Sequence, residues 1–259
     1  MTTKLCLTSA AAAILAIAAA PALAQQGPNV WNGPYAGVNV GYGGGSFTYP
    51  YSGTTDIAGT NPVTGKLKQD SSGVLGGVTL GYNYQMTNGP ALAHGLVFGL
   101  ETDIAASDIG AQAYGTSGQS AGNTYADLSS RIDYLGTARA RLGKPMFENR
   151  LLPYVTGGFA YGGVRTVSNE SCSYCGGAGN GTFLSPQRID TGWTAGAGAE
   201  YALTPHLSMK AEYLYVDLDA KSLGVDGAQF SGPGFTTYNT NAGLKPTANI
   251  VRVGFNYRF

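Results

Sequence analysis

The sequence predicts an all-β fold, an eight-stranded antiparallel up-and-down transmembrane β-barrel spanning residues 35–259. Three observations carry that expectation. Segments of about ten residues recur in which apolar or small side chains alternate with polar ones or glycine. The connections between them are alternately long and short. The ionised side chains keep to one face of each segment.

Composition sets the frame. Of 259 residues only 12% are charged, roughly half the usual share, whereas there are 40 glycines and 17 tyrosines. The amino terminus has Lys4, an apolar stretch from Ile14 through Ala20, and the small-x-small sequence Ala22-Leu23-Ala24. That is the form of a secretory signal peptide, so residues 1–24 are expected to be removed and residues 25–34 to form a periplasmic lead. Cys6 precedes the hydrophobic stretch and has no lipobox around it. Beyond the signal no run of about 18 apolar residues occurs, which argues against a membrane-spanning helix. The formal net charge is zero and no basic stripe is present, so nucleic acid has no footprint here.

Each strand is justified by its alternation. The first runs from Tyr35 to Gly43, with Ala36, Val38, Val40 and Tyr42 on one face. The second, Val74 to Gln85, puts Val78, Leu80, Tyr82 and Tyr84 opposite Thr79, Gly81 and Asn83. In the third, Leu96 to Ile104, Phe98 and Leu100 oppose Glu101 and Asp103. The fourth, Arg131 to Leu142, sets Ile132, Tyr134, Ala138 and Ala140 against Asp133, Thr137, Arg139 and Arg141, with Leu135 the one apolar residue on the polar side. The fifth, Pro153 to Val164, admits proline only at its start. The sixth, Gly192 to Tyr201, opposes Trp193 and three alanines to Thr194, two glycines and Glu200. The seventh, Leu207 to Tyr215, opposes Met209, Ala211 and Tyr213 to Ser208, Lys210 and Glu212. The eighth, Ile250 to Phe259, alternates Val251, Val253, Phe255, Tyr257 and Phe259 with Arg252, Gly254, Asn256 and Arg258.

The long connections, 44–72, 105–130, 165–191 and 216–249, are rich in Gly, Ser, Thr and Asn, and the short ones are 86–95, 143–152 and 202–206. Extended loops at one rim and tight turns at the other give that rhythm, with both termini on the turn side in the periplasm and the four long loops extracellular. A soluble barrel would need the uncharged face inward. Aromatic side chains near strand ends (Tyr42, Tyr134, Trp193, Tyr201, Tyr257) and the many glycines on the other face favour the opposite orientation, with the uncharged face in lipid.

Tyr257-Arg258-Phe259, closing a strand that is apolar at Val251, Val253 and Phe255, is similar to the carboxy-terminal signal read by the outer-membrane barrel assembly machinery. Trp31-Asn32-Gly33-Pro34-Tyr35-Ala36-Gly37, Ile132-Asp133-Tyr134-Leu135-Gly136-Thr137, Pro153-Tyr154-Val155-Thr156-Gly157-Gly158 and Glu212-Tyr213-Leu214-Tyr215 resemble the small porin-like surface proteins of alphaproteobacteria, which include major Brucella outer-membrane antigens. The resemblance covers the whole mature chain. It implies a barrel of the OmpA membrane-domain type without that protein's periplasmic domain, surrounded by outer-membrane lipid and lipopolysaccharide.

The candidate site is the inward face. Glu101, Asp103, Asp133, Arg139, Arg141, Glu200, Lys210, Glu212, Arg252 and Arg258 would share a narrow lumen and should pair across strands, Glu101 or Asp103 with Arg139 and Glu200 with Lys210. The alternative is a selectivity constriction in a conducting pore. Cys172 and Cys175 form a Cys-x-x-Cys, read as a loop disulfide rather than half a metal site, since no second pair and no nearby histidine complete one. His94 and His206 both fall in short turns, away from any catalytic position at the outer rim, so no enzyme, cofactor or metal site is expected. Three roles stay open: a non-enzymatic surface protein contributing to envelope integrity, a narrow porin-like diffusion channel, or loop-mediated binding of haem or a host surface. Haem is suggested by its attribution to some related proteins, with Tyr49, Tyr51, Tyr114, Tyr125, Tyr174 and Tyr238 as loop candidates.

Overall fold

Alternation with period two forces successive side chains to opposite faces, so a chain of such segments must either stack as a sandwich or close on itself. This one closes. A computed structural model describes the backbone of residues 30–55, 61–86, 95–119, 122–172, 180–219, 221–222 and 241–259, and side chains over 30–49, 68–86, 95–112, 129–167, 187–219 and 244–259. The strands are β1 (Gly33–Thr55), β2 (Asn61–Gln85), β3 (Val97–Gln119), β4 (Gly122–Gly143), β5 (Leu151–Cys172), β6 (Asn180–Ala202), β7 (Leu207–Leu218), the two-residue β8 (Lys221–Ser222) and β9 (Asn241–Arg258). Each pairs antiparallel with its neighbour, and β9 pairs with both β7 and β1, which closes an eight-stranded barrel; β8 is a short ladder on β9. From Gly192 to Ala202 β6 pairs with β7 as well as β5, so at this level the ring of eight strands is closed, the condition for crossing a bilayer with strands; above Gly192 the described part of β6 pairs with β5 alone.

The strands are longer than their alternation suggested. β1 to β6 each run 22–25 residues, where about 9–11 suffice to cross a membrane. Most of the expected first three long loops is therefore paired strand, with Phe47 opposite Gln69 and Gln112 opposite Ser129. The reason is a change of surroundings: above the apolar belt the outer face turns polar and the register shifts between Ala106 and Ile109 and between Ile132 and Tyr134 change the phase, so the alternation breaks while the ladder continues. The proposed signal peptide, the lead up to residue 29 and Cys175 lie outside the described residues, and of Cys172 only the backbone is described.

The outer face of the lower barrel is an apolar belt, with Val40 58%, Leu80 59%, Leu100 69% and Val251 62% exposed. Many glycines serve close cross-strand contacts. Tyr134 pairs with Gly163 and Tyr161 with Gly136 across β4 and β5, and a Cβ on Gly136 would sit 2.3 Å from the Tyr161 ring. The rings lie flat against the wall because no side chain stands opposite.

The end at which the chain enters and leaves is closed by short turns. The β4–β5 turn holds Phe147, Glu148 and Asn149 at φ of 51°, 56° and 65°, three consecutive non-glycine residues in the left-handed region. It is tied down by Trp31, whose indole Nε1 donates to the Asn149 carbonyl at 2.8 Å. Trp31 is fully buried with Val97, Leu152 and Ala202, and this cluster stoppers the barrel from the terminal side.

Candidate functional site

The interior is built in tiers set by strand register. Directly above the Trp31 cluster lie the charges. Arg139 on β4 is the hub: it contacts Glu101 opposite it on β3, Asp103 at 2.9 Å and, across the lumen, Glu212 on β7 at 2.8 Å. Glu101 also receives Lys210 at 3.0 Å, Arg141 at 3.2 Å and the Tyr35 hydroxyl at 2.7 Å. Arg252 on β9 joins Glu212 at 2.6 Å and Asp103 at 2.8 Å. Glu200 accepts Arg141 at 2.8 Å, Arg258 at 3.3 Å and the Ser208 hydroxyl. Arg141 stacks on the Tyr154 ring at 4.2 Å, and Arg258 on Trp31 at 4.5 Å. These charged side chains are 97% or more buried. Isolated charges so placed would be prohibitive, and shared multidentate pairing is what makes the layer tenable.

The structure thus gathers nine of the ten inward charges proposed from alternation. Asp133 is the exception and corrects that reading. A β-bulge between Ile132 and Tyr134 leaves Asp133 without a partner in the β5 register and shifts the phase of β4, so Ile132 turns inward and Asp133 outward. It lies on the outer wall against Arg131 at 2.9 Å and Arg165 at 3.3 Å. The expected Glu200–Lys210 pair is also different: the two are register neighbours, yet Lys210 reaches across to Glu101 and Glu200 takes two arginines. A narrow barrel brings opposite walls within reach of a long side chain, so pairing is not confined to adjacent strands.

Above the charges lies an apolar tier that strand alternation did not reveal. Phe47, Leu75, Ile109, Ile132, Leu135, Leu214, Leu218, Leu244 and Ile250 belong to one buried cluster filling the lumen. The signal was present in phase: Leu214, Val216 and Leu218 continue the face of Lys210 and Glu212, and Ile250 that of Arg252. Over this plug Tyr49 donates to Ser130 Oγ at 2.6 Å, which lies 2.9 Å from Thr166 Oγ1. Burial pushes the Tyr49 phenol up to about 12. It is a neutral, engaged donor and not an open loop ligand; the side chains of Tyr51, Tyr114, Tyr125, Tyr174 and Tyr238 lie outside the described residues.

Val251, Val253 and Phe255 point outward from β9, Phe259 just past its end is exposed, and Tyr257 packs between His206 and Phe259 at ring separations of 5.9 and 5.4 Å. His206 sits in the β6–β7 turn with Nδ1 2.9 Å from the Arg258 carbonyl, and His94 lies outside the described residues. Among the described residues no group of three His, Cys, Asp or Glu is placed to hold a metal.

A closed barrel with an apolar exterior belt and a charged interior is an outer-membrane β-barrel protein. Residues 9–259 match the family model described as outer membrane protein beta-barrel domain, and the chain belongs to that family. It is 36% identical over 256 residues to the 31 kDa outer-membrane immunogenic protein of Brucella melitensis, covering 97% of this chain and 94% of that one. The 25 kDa outer-membrane immunogenic protein of Brucella canis is 26% identical over 88% of this chain and 79% of its own length. Among solved structures, the outer membrane protein OprG of Pseudomonas aeruginosa aligns at a TM-score of 0.47 and 16% identity, covering 88% of this chain and 96% of that one.

Proposed function

We propose that this protein is a non-enzymatic, non-conducting outer-membrane barrel that contributes to envelope integrity, with its chain termini in the periplasm and its elongated hairpins presented outside the cell. The observation that carries the reading is the filled lumen: a Trp31-centred stopper, a charge layer bonded wall to wall, and an apolar plug stacked in series. Interiors packed in this way leave no continuous water path, and an eight-stranded barrel has room for little else. The hairpins, projecting well past the apolar belt, are the surface on which contact with the exterior would fall.

Planar-bilayer recording of the refolded protein tests it. The expected result is an electrically silent membrane over the range where larger porins open; steady unitary steps would defeat the reading and favour the diffusion-channel alternative.

A further inference from the structure

Just above Tyr134 and Tyr161, the outer wall of β2–β5 carries a groove of about 540 Å³ between small residues such as Ser72, Gly110 and Ser129. Arg131 and Arg165 line it. They stand directly opposite each other on β4 and β5, each about half exposed. Like charges in direct cross-strand register repel, so the pair needs compensation. Asp133, rotated outward by the bulge, supplies it from one side: it accepts Arg131 Nε at 2.9 Å, Arg165 at 3.3 Å and Gln187 Nε2 at 2.9 Å. That contact uses one edge of Arg131. Its Nη1 meets the exposed Asp108 at 3.2 Å, a solvent-screened pair of small worth.

We propose that this groove is a docking site for the phosphate of an outer-leaflet lipid, whose acyl chains descend over the belt below it. The reading rests on the orientation given above, which puts this tier at the level of the outer headgroups. Two facing guanidinium groups suit a phosphate's several acceptor oxygens, and Asp133 orients them for it. Alternation places Tyr134 and Tyr161 next below the arginines, then Phe159 and Ala138, so a bound headgroup continues into an apolar surface. A free anion would gain nothing from that continuity. The bulge that takes Asp133 out of the lumen is thus also what assembles the site.

The test uses the purified full barrel in neutral detergent, with fluorescent bis-phosphorylated lipid A as probe and the same lipid stripped of phosphate as reference. The double substitution Arg131→Gln and Arg165→Gln is expected to weaken binding of the phosphorylated lipid at least about tenfold, and Asp108→Asn to strengthen it. Arg150→Gln, at an exposed turn position on the far end, should leave it unchanged. Equal binding by the double variant, equal binding of the dephosphorylated lipid, or displacement by inorganic phosphate at similar concentration would overturn the site. Labelling a cysteine placed at the β3–β4 hairpin tip on intact cells checks orientation separately: a tip inaccessible from outside would defeat the topology while leaving the micelle result standing.

Discussion

Two regions of one barrel solve opposite problems with the same strands. In the lower half the outside is apolar and the inside charged; in the upper half the inside is apolar and the outside carries Asp108, Arg131 and Arg165. The lower half is an inverted protein adapted to hydrocarbon, and the upper half is an ordinary water-exposed β-barrel held by its own core. The changeover coincides with register shifts at Ala106/Ile109 and Ile132/Tyr134, which place Ile109 and Ile132 in the plug. Polarity inverts along a strand because the solvent changes along it, and a bulge is the means by which a rigid period of two can change phase.

The sharpest way to break the contrast is to remove the hub of the charged tier. Arg139→Leu leaves Glu101, Asp103 and Glu212 short of a shared partner and should destabilise the barrel by about 3–5 kcal/mol, read by urea unfolding in lipid vesicles with tryptophan fluorescence. A loss below about 1 kcal/mol would mean that Arg252 and Lys210 suffice. In the apolar tier Ile109→Ala should lose about 2–5 kcal/mol by cavity formation, in the same assay and with unchanged salt dependence. An effect as small as that of an exposed substitution would deny that the upper half has a core.

The outer surface provides the matching pair. Leu100→Lys, in the belt, is expected to cost about 2–4 kcal/mol, whereas Gln187→Lys, above it, should stay within about 0.5 kcal/mol; similar values would misplace the membrane boundary. The smallest effect lies at the stoppered end. Glu148→Gly, which relieves one of three consecutive left-handed residues, should raise stability by about 1 kcal/mol, detectable as a shift in urea midpoint.

Much of this architecture is legible in the sequence. Alternation shows the eight strands and nine of the ten lumen charges, the rhythm of long and short connections shows the up-and-down barrel, and the lipid-facing side needs the aromatic residues near strand ends and the glycines of the other face as well. Leu135, apolar on the polar side of β4, marked the plug, but a single exception does not announce a tier. The full length of the hairpins is hidden because the apolar face changes from outside to inside at the register shifts, which breaks the alternation while the ladder continues. Alternation shows Tyr35 and Tyr154 as strand residues and does not show that they belong to the charged layer, because their roles arise from Glu101 and Glu212 on other strands.

What the sequence determined by itself is local: a two-residue period with charge on one side of it says that each segment is a strand with two unlike faces, and aromatic residues at strand ends with glycine on the charged side say which face meets lipid. What the tertiary structure alone decided is who meets whom. Lys210 bonds Glu101 rather than its neighbour Glu200, and Asp133 leaves the lumen while Ile132 enters it. Periodicity propagates along a chain, whereas partners across a lumen are set by barrel radius and strand register, which no single strand encodes.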